Sequence, residues 1–119
     1  MSITIYGIKN CDTMKKARAW LDSHGVKYAF HDYKVAGIDR AHLEKWLKKT
    51  NWETLLNRAG TTFRQLPEKD KTGLDGDKAV ALMLEHPSLI KRPVLEFGGG
   101  KLLVGFKPEL YAEAGVATA

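Results

Sequence analysis

The apolar positions at the start of the chain form two strand-like runs on either side of one helical stretch. Residues 3–7, ITIYG, combine β-branched and aromatic side chains and end in glycine, which is typical of a buried strand. From Asp12 or Thr13, either of which can cap a helix, apolar residues then recur every three or four positions until Gly25. The apolar face of this predicted helix consists of Met14, Ala17, Leu21 and His24. Residues 26–33, VKYAFHDY, alternate with a period of two, so the order predicts a βαβ unit with parallel strands and a right-handed crossover.

Helical periodicity dominates the middle of the chain. A helix is predicted after the capping residue Asp39, and two shorter helical pieces are separated by Gly60. A polar connection, residues 67–77, then leads to a longer helix that ends before Pro87. The predicted helices cover residues 39–50, 51–59, 61–66 and 78–86. Residues 37–87 are therefore predicted to be an all-helical segment set between strands.

The last part of the chain returns to strand patterns. Residues 92–97, RPVLEF, and 101–106, KLLVGF, flank three glycines whose freedom to adopt positive φ suits the loop of a hairpin. Pro108 suits the first turn of a terminal helix, which Gly115 ends. The order predicts an α/β fold of the thioredoxin or glutaredoxin type, in which a mixed sheet is flanked by helices.

The length of the chain suits one domain that carries an insertion. A chain of 119 residues can bury one ordinary core and is too short for two full domains. We therefore predict a single domain, residues 1–119, in which residues 1–36 and 88–119 form the thioredoxin-like core. Residues 37–87 are the inserted all-helical segment.

Composition narrows the classes of function. Nineteen basic and fourteen acidic residues give a net charge of +5, but the basic residues are scattered and no nucleic-acid-binding motif accompanies them, so no nucleic-acid partner is predicted. Four histidines and one cysteine are too widely spaced to predict a metal site. No apolar run approaches the about 18 residues of a membrane span, and one cysteine permits no internal disulfide. We expect a cytoplasmic protein with no membrane partner.

The single cysteine, Cys11, lies where reactivity is favoured. A lone cysteine is commonly a small buried residue, but Cys11 has polar neighbours and stands where the first strand ends and the first helix begins. The positive end of a helix dipole lowers the pKa of a thiol below its usual value of about 8.5. Lys9, Lys15 and Lys16 act in the same direction. We therefore predict that Cys11 is a nucleophile.

The second position of a C-x-x-C motif is occupied by Met14, so Cys11 has no partner for an internal dithiol centre. This predicts a monothiol mechanism with a mixed disulfide to an outside thiol, with glutathione as co-substrate and no tightly bound cofactor. Arg58, Arg64 and Lys107 stand at the edges of predicted elements and are candidates for an anion site near the thiol. Taken singly, an arginine at such a position is more commonly a solvated surface charge.

Four stretches of the sequence resemble the ArsC family, which includes glutathione-coupled arsenate reductases, Spx transcription regulators and YffB-like proteins. The stretches are IYGIKNCDTMKKARAWLDSHGV, NWETLLNRAGTTFRQL, HPSLIKRPVLEF and LLVGFKPELY, and they are most similar to the YffB-like branch. The resemblance implies a thioredoxin-like fold with a helical insert and a catalytic role for Cys11. In the arsenate reductases, this cysteine attacks arsenate held by three arginines, and glutathione then forms a mixed disulfide that glutaredoxin resolves.

Carried over by position, the resemblance also implies an anion site. One family arginine falls on Arg92, which is followed by Pro93 as the expected cis-proline; a second falls within one residue of Arg58, and the third is replaced by Lys107. A lysine lacks the planar fork with which arginine binds an oxyanion. The IKNC stretch also lacks the histidine that arsenate reductases carry before their cysteine. The residues predicted to bind substrate or glutathione are Lys9, Asn10, Arg58, Arg92, Pro93 and Lys107.

These departures favour a glutathione-dependent thiol-disulfide reductase over an arsenate reductase. Its predicted partners are glutathione or a glutathionylated substrate, and glutaredoxin. Arsenate reduction is the first alternative. The second is a non-catalytic regulator of the Spx type, which binds RNA polymerase and senses redox state through C-x-x-C, a motif that Met14 interrupts.

Overall fold

The computed structural model describes residues 3–118 and contains the predicted βαβ unit at its start. β1 (Thr4–Gly7) and β2 (Ala29–Asp32) pair in parallel, and α1 (Asp12–Ser23) connects them. β2 begins later than predicted because Val26 is still hydrogen-bonded to α1. Its N–H donates to a carbonyl of the last turn of that helix, at 2.9 Å.

Short helices make up the middle of the chain. They are α2 (Tyr33–Ala36), α3 (Arg40–Leu47), α4 (Trp52–Leu55), α5 (Thr61–Arg64), α6 (Glu68–Lys71) and α7 (Gly76–Glu85), followed by a 3₁₀ helix, Pro87–Leu89. The prediction that residues 67–77 are only a connection is wrong, since α6 lies within them; α2 was not predicted either. The Lys78 ammonium donates to the Lys69 carbonyl at 2.6 Å. Hydrogen bonds of this kind stabilise α6, and the apolar periodicity of the sequence does not predict them.

Asx side chains cap three of these helices. Asp39 accepts from the N–H of His42 at 2.8 Å and so caps α3, as predicted. Asn51 caps α4 and Asp75 caps α7 in the same way, by accepting from the N–H three residues ahead. Each side chain thereby satisfies one of the N–H groups that a helix start leaves without a partner.

The predicted hairpin completes the sheet. β3 (Val94–Phe97) and β4 (Lys101–Val104) are antiparallel, and the three glycines between them have φ values of 57°, 73° and 114°. β3 also pairs antiparallel with β1, which gives the strand order β2-β1-β3-β4. α8 (Pro108–Glu113) and a 3₁₀ helix, Val116–Thr118, follow β4. The mixed sheet with flanking helices confirms the predicted thioredoxin-like fold class.

α1 and α8 share one hydrophobic cluster with the central strands. The cluster consists of Ile3, Ile5, Met14, Ala17, Leu21, Leu95, Phe97, Tyr111 and Val116. Burying one large apolar side chain of this kind contributes about 1.5–3 kcal/mol. Three of the four residues predicted for the apolar face of α1 are buried here. The prediction for His24 is wrong, because α1 ends at Ser23 and the exposed imidazole stacks on Trp20 with ring centroids 3.9 Å apart.

By their internal contacts, the described residues form two compact units. One combines the described residues of Met1–Asp32 with those of Arg92–Ala119 and contains the sheet, α1 and α8. The other, Tyr33–Lys91, contains α2 to α7, and in it α7 packs against α3 and α4. Within residues 3–118, none of the helices combines the length and the apolar character that crossing a bilayer requires.

Candidate active site

Cys11 lies at the junction between β1 and α1. Its backbone is extended, with φ −121° and ψ 129°, and its carbonyl accepts from the N–H of Lys15 at 3.0 Å. Cys11 is therefore itself the N-cap of α1, and the predicted capping by Asp12 or Thr13 is wrong. The residue is half-buried and packs against the hydrophobic cluster around α1.

Three groups around Cys11 stabilise a negative charge on its sulfur. Partial burial raises the pKa of the thiol, but the N–H of Met14, the Arg92 guanidinium and the N–H of Thr13 outweigh it, so the pKa lies below its ordinary value. Arg92 acts both as a hydrogen-bond donor and as a positive charge. No side-chain capping bond of standard geometry closes the first turn. The N–H groups of Thr13 and Met14 favour the charged form of the sulfur, and the thiolate is the nucleophilic form.

The register of the sheet explains why Arg92 meets Cys11. β3 runs antiparallel beside β1, with Val94 opposite Tyr6, so the start of β3 and the end of β1 lie at the same edge of the sheet. Arg92 stands just before β3, and its peptide bond to Pro93 is cis, as the resemblance implied. Of the residues singled out in the sequence, the structure therefore brings Arg92 to Cys11, with Pro93 next to Arg92 in the chain.

The other predicted residues of this unit lie on its surface. Lys107 is the exposed N-cap of α8, two residues after Gly105, whose N–H donates to the Pro93 carbonyl at 2.8 Å. Lys9 and Asn10 are exposed in the loop that precedes the thiol. Their roles in binding substrate or glutathione stay predictions.

Arg58 and Arg64 belong to the second unit, Tyr33–Lys91. Arg58 is exposed between α4 and α5, and its guanidinium carbon lies 5.8 Å from the centroid of the Trp52 ring. Arg64 Nη1 donates to the Ala59 carbonyl at 3.1 Å and so braces the same loop. The role of either arginine in an anion site near the thiol stays a prediction.

Gly7 is a residue of this region that the sequence did not single out. A Cβ at this position would overlap the Met14 sulfur and come within 2.8 Å of its terminal methyl carbon. The glycine at the end of the first apolar run was the available signal, but only the packing of α1 shows what it accommodates.

The chemistry available at this site is that of a single thiolate beside a guanidinium. Such a thiolate can attack an electrophilic sulfur, and the guanidinium can bind an anionic part of the substrate. Among the described residues, no three His, Cys, Asp or Glu side chains are grouped so that they could hold a metal ion.

Comparisons with known proteins extend over nearly the whole chain. Residues 6–114 match the sequence profile of the ArsC family. A solved structure of the YFFB (PA3664) protein is 63% identical, with a TM-score of 0.91, and the match covers 95% of this chain and 98% of that one. A solution structure of an arsenate reductase (ArsC) related protein from Brucella melitensis is 60% identical, with a TM-score of 0.76 and coverages of 95% and 93%. An uncharacterized protein of Haemophilus influenzae is 44% identical over 112 residues, 94% of this chain and 97% of that protein. These similarities confirm the resemblance read from the sequence, including that to the YffB-like branch.

Proposed function

The chain belongs to the ArsC family, and on that premise we propose that it is a glutathione-dependent thiol-disulfide reductase with Cys11 as its single nucleophile. One observation carries the proposal: the Cys11 sulfur is surrounded by the N–H groups of Thr13 and Met14 and by the Arg92 guanidinium, which lower its pKa. Thiol-disulfide exchange proceeds through the thiolate, and a lowered pKa increases the fraction of thiolate at neutral pH.

The reaction consists of two exchanges. In the first, the Cys11 thiolate attacks the glutathionyl sulfur of a mixed disulfide; a Cys11–glutathione bond forms, the substrate sulfur leaves as a thiolate and takes a proton from solvent. In the second, the thiolate of another glutathione attacks that glutathionyl sulfur. Oxidised glutathione is released and the Cys11 thiolate is regenerated. Over the two exchanges, one added glutathione is consumed, the substrate leaves as a free thiol, and its disulfide bond is transferred to the pair of glutathione units.

The lowered pKa of Cys11 favours the second exchange. A thiolate of low pKa is a good leaving group, so the mixed disulfide with glutathione should resolve quickly. Since Cys11 is the only cysteine of the chain, resolution needs an outside thiol. We propose glutathione or a glutaredoxin for this step, with the carboxylates of glutathione bound by Arg92, Lys9 and Lys107 through charge-assisted hydrogen bonds.

The test is the reduction of a glutathionylated peptide in the presence of glutathione. We expect turnover by the wild-type protein and none above background by Cys11→Ser, which replaces the thiol with a nearly isosteric hydroxyl. Circular dichroism of both proteins controls for folding. Turnover by Cys11→Ser equal to that of the wild type would rule out the proposed mechanism, and no turnover by either would leave the non-catalytic alternative as the better account.

Arsenate reduction is the second candidate, and the Arg92 guanidinium at the Cys11 sulfur favours it, because this arrangement could hold an oxyanion over the thiolate. Lys107 stands where the arsenate reductases have an arginine. We expect weak arsenate reduction by the wild type and a severalfold gain in Lys107→Arg, measured with glutathione and glutaredoxin present. No gain would show that the missing arginine is not what limits this activity.

A further inference from the structure

Met14 takes part in both the hydrophobic core and the thiol site. Its side chain is fully buried in the cluster that α1 shares with the sheet. Its backbone N–H is one of the groups that stabilise a negative charge on the Cys11 sulfur. Met14 thus belongs to the core through its side chain and to the thiol site through its backbone.

Gly7 provides the space that the Met14 side chain occupies. A Cβ on Gly7 would overlap the Met14 sulfur and would lie 2.8 Å from Cε and 3.1 Å from Cγ of the same side chain. Gly7 pairs with Asp32 of β2, so its own position is set by the sheet. A Cβ at this position would force the buried Met14 side chain to move, and a close-packed interior leaves little free volume for that movement.

We propose that Gly7 and Met14 are positioning residues for the nucleophile: their contact holds the first turn of α1 so that the N–H groups of Thr13 and Met14 face the Cys11 sulfur. The inference rests on the proposed function of Cys11. It adds a reason why a buried methionine occupies the second position of the C-x-x-C pattern, namely that its long, unbranched side chain reaches into the space above the glycine.

The charged groups around the sulfur are independent of this contact. Arg92 reaches the sulfur from the start of β3. On the side of α1, Asp12 follows Cys11 directly and Lys15 lies one turn further along, while Lys9 precedes it in the loop. Substitutions at Gly7 or Met14 remove none of these four charges. A change in Cys11 ionisation can then be assigned to the geometry of the first turn.

The alternative is that Met14 only fills the core. Loss of stability does not separate the two roles, because truncating any buried methionine is destabilising. The ionisation of Cys11 does separate them, since it responds to the direction of the N–H groups. Met83 is the matched control: it is also a fully buried methionine on a helix, α7, but belongs to the unit Tyr33–Lys91.

The experiment is the pH dependence of Cys11 alkylation by iodoacetamide in wild type, Met14→Ala, Met14→Leu and Met83→Ala. In Met14→Ala we expect the inflection to move to higher pH, with a threefold to tenfold smaller thiolate fraction below it, where one pKa unit is a factor of about ten. Met14→Leu nearly conserves volume and should stay within about twofold of wild type. Met83→Ala should have a lower midpoint of urea denaturation and an unchanged inflection.

Gly7→Ala tests the other side of the contact and should shift the inflection in the same direction; if it does not fold, Met14→Ala decides. An unchanged inflection in Met14→Ala, or an equal shift in Met83→Ala, would overturn the inference. A wild-type inflection at the ordinary cysteine pKa of about 8.5 would instead contradict the proposed function on which the inference rests. The two failures are therefore distinguishable.

Discussion

The Cys11 thiolate is stabilised by donors of two kinds. The N–H groups of Thr13 and Met14 are backbone dipoles fixed by the helix, whereas Arg92 brings a full positive charge on a side chain. A guanidinium carries several N–H donors in a planar fork, so Arg92 can donate to the thiolate and keep further donors for a substrate anion. Substitutions at Arg92 therefore test the charge separately from the helix.

We expect Arg92→Met to raise the pKa of Cys11, because it removes both the hydrogen bond and the charge. Arg92→Lys keeps the charge without the planar fork and should give a pKa between those of Arg92→Met and the wild type. The pH profile of thiolate ultraviolet absorbance measures both. If the pKa is the same in Arg92→Met as in the wild type, the guanidinium does not act on the sulfur as described.

Protein stability gives a second measure of the same charge. The pKa of Cys11 is lower in the folded than in the unfolded chain, so the unfolded chain binds more protons over the interval between the two values. The thiolate's contribution to folding is fully present above about pH 8.5 and is lost as the pH falls through the lowered pKa. The difference in unfolding free energy between wild type and Cys11→Ser should follow this course.

At the level of residues, the sequence predicted the site best where the role of a residue depends on its near neighbours in the chain. The prediction that Cys11 is a nucleophile rests on its place between a strand and a helix start, and its lowered pKa agrees with this prediction. Arg92 and Pro93 came only from the family resemblance, because their proximity to the thiol depends on how distant strands pair. Gly7 was missed because its role depends on the packing of α1 against β1.

Among the elements, α1 differs from α3, α4 and α7 in how it begins. α3, α4 and α7 each start with an Asx side chain that accepts from a backbone N–H, at 2.7 to 2.8 Å. α1 has Cys11 at that position, with no side-chain capping bond. α5, α6 and α8 also begin without a side-chain capping bond, so the feature particular to α1 is the thiol at its N-cap and not the missing cap.

The caps of the middle segment should be purely structural. We expect Asp75→Ala to lower the unfolding free energy by about 1 kcal/mol, because it removes the acceptor of the Lys78 N–H. Asp75→Asn is the matched control, since asparagine caps as well as aspartate and should cost only a few tenths of that amount. Urea denaturation measures both. Equal losses in the two variants would show that the charge of Asp75, and not its capping oxygen, is what matters.

Element boundaries were predicted best where the apolar periodicity and a capping residue indicated the same helix start. The helix after Asp39 has both, and α3 starts at the next residue. α6 has neither, since it is a single turn in a stretch rich in Pro, Gly and Lys, held by lysine side chains that donate to carbonyls elsewhere in the segment. No local pattern encodes these contacts, and α6 was therefore not predictable from periodicity.

At the scale of the whole molecule, the topology of the sheet determines where the candidate site lies. With β1 in the middle, its carboxyl end, the start of β3 and the end of β4 share one edge, and this edge carries Cys11 and Arg92. The order of elements predicted a mixed sheet. The strand registers that bring Arg92 to the sulfur depend on the tertiary structure and could not be predicted from that order. A single cysteine in the chain makes the proposed chemistry simple to follow, because every disulfide must be intermolecular.

The most direct test of the central claim is intact-protein mass spectrometry after mixing the wild-type protein with a glutathionylated peptide at neutral pH. We predict the gain of one glutathionyl group per chain, located on Cys11, with release of the reduced peptide, followed by loss of the group when glutathione is added. Cys11→Ser should gain nothing. A wild-type protein that neither takes up the glutathionyl group nor releases the peptide would contradict the account.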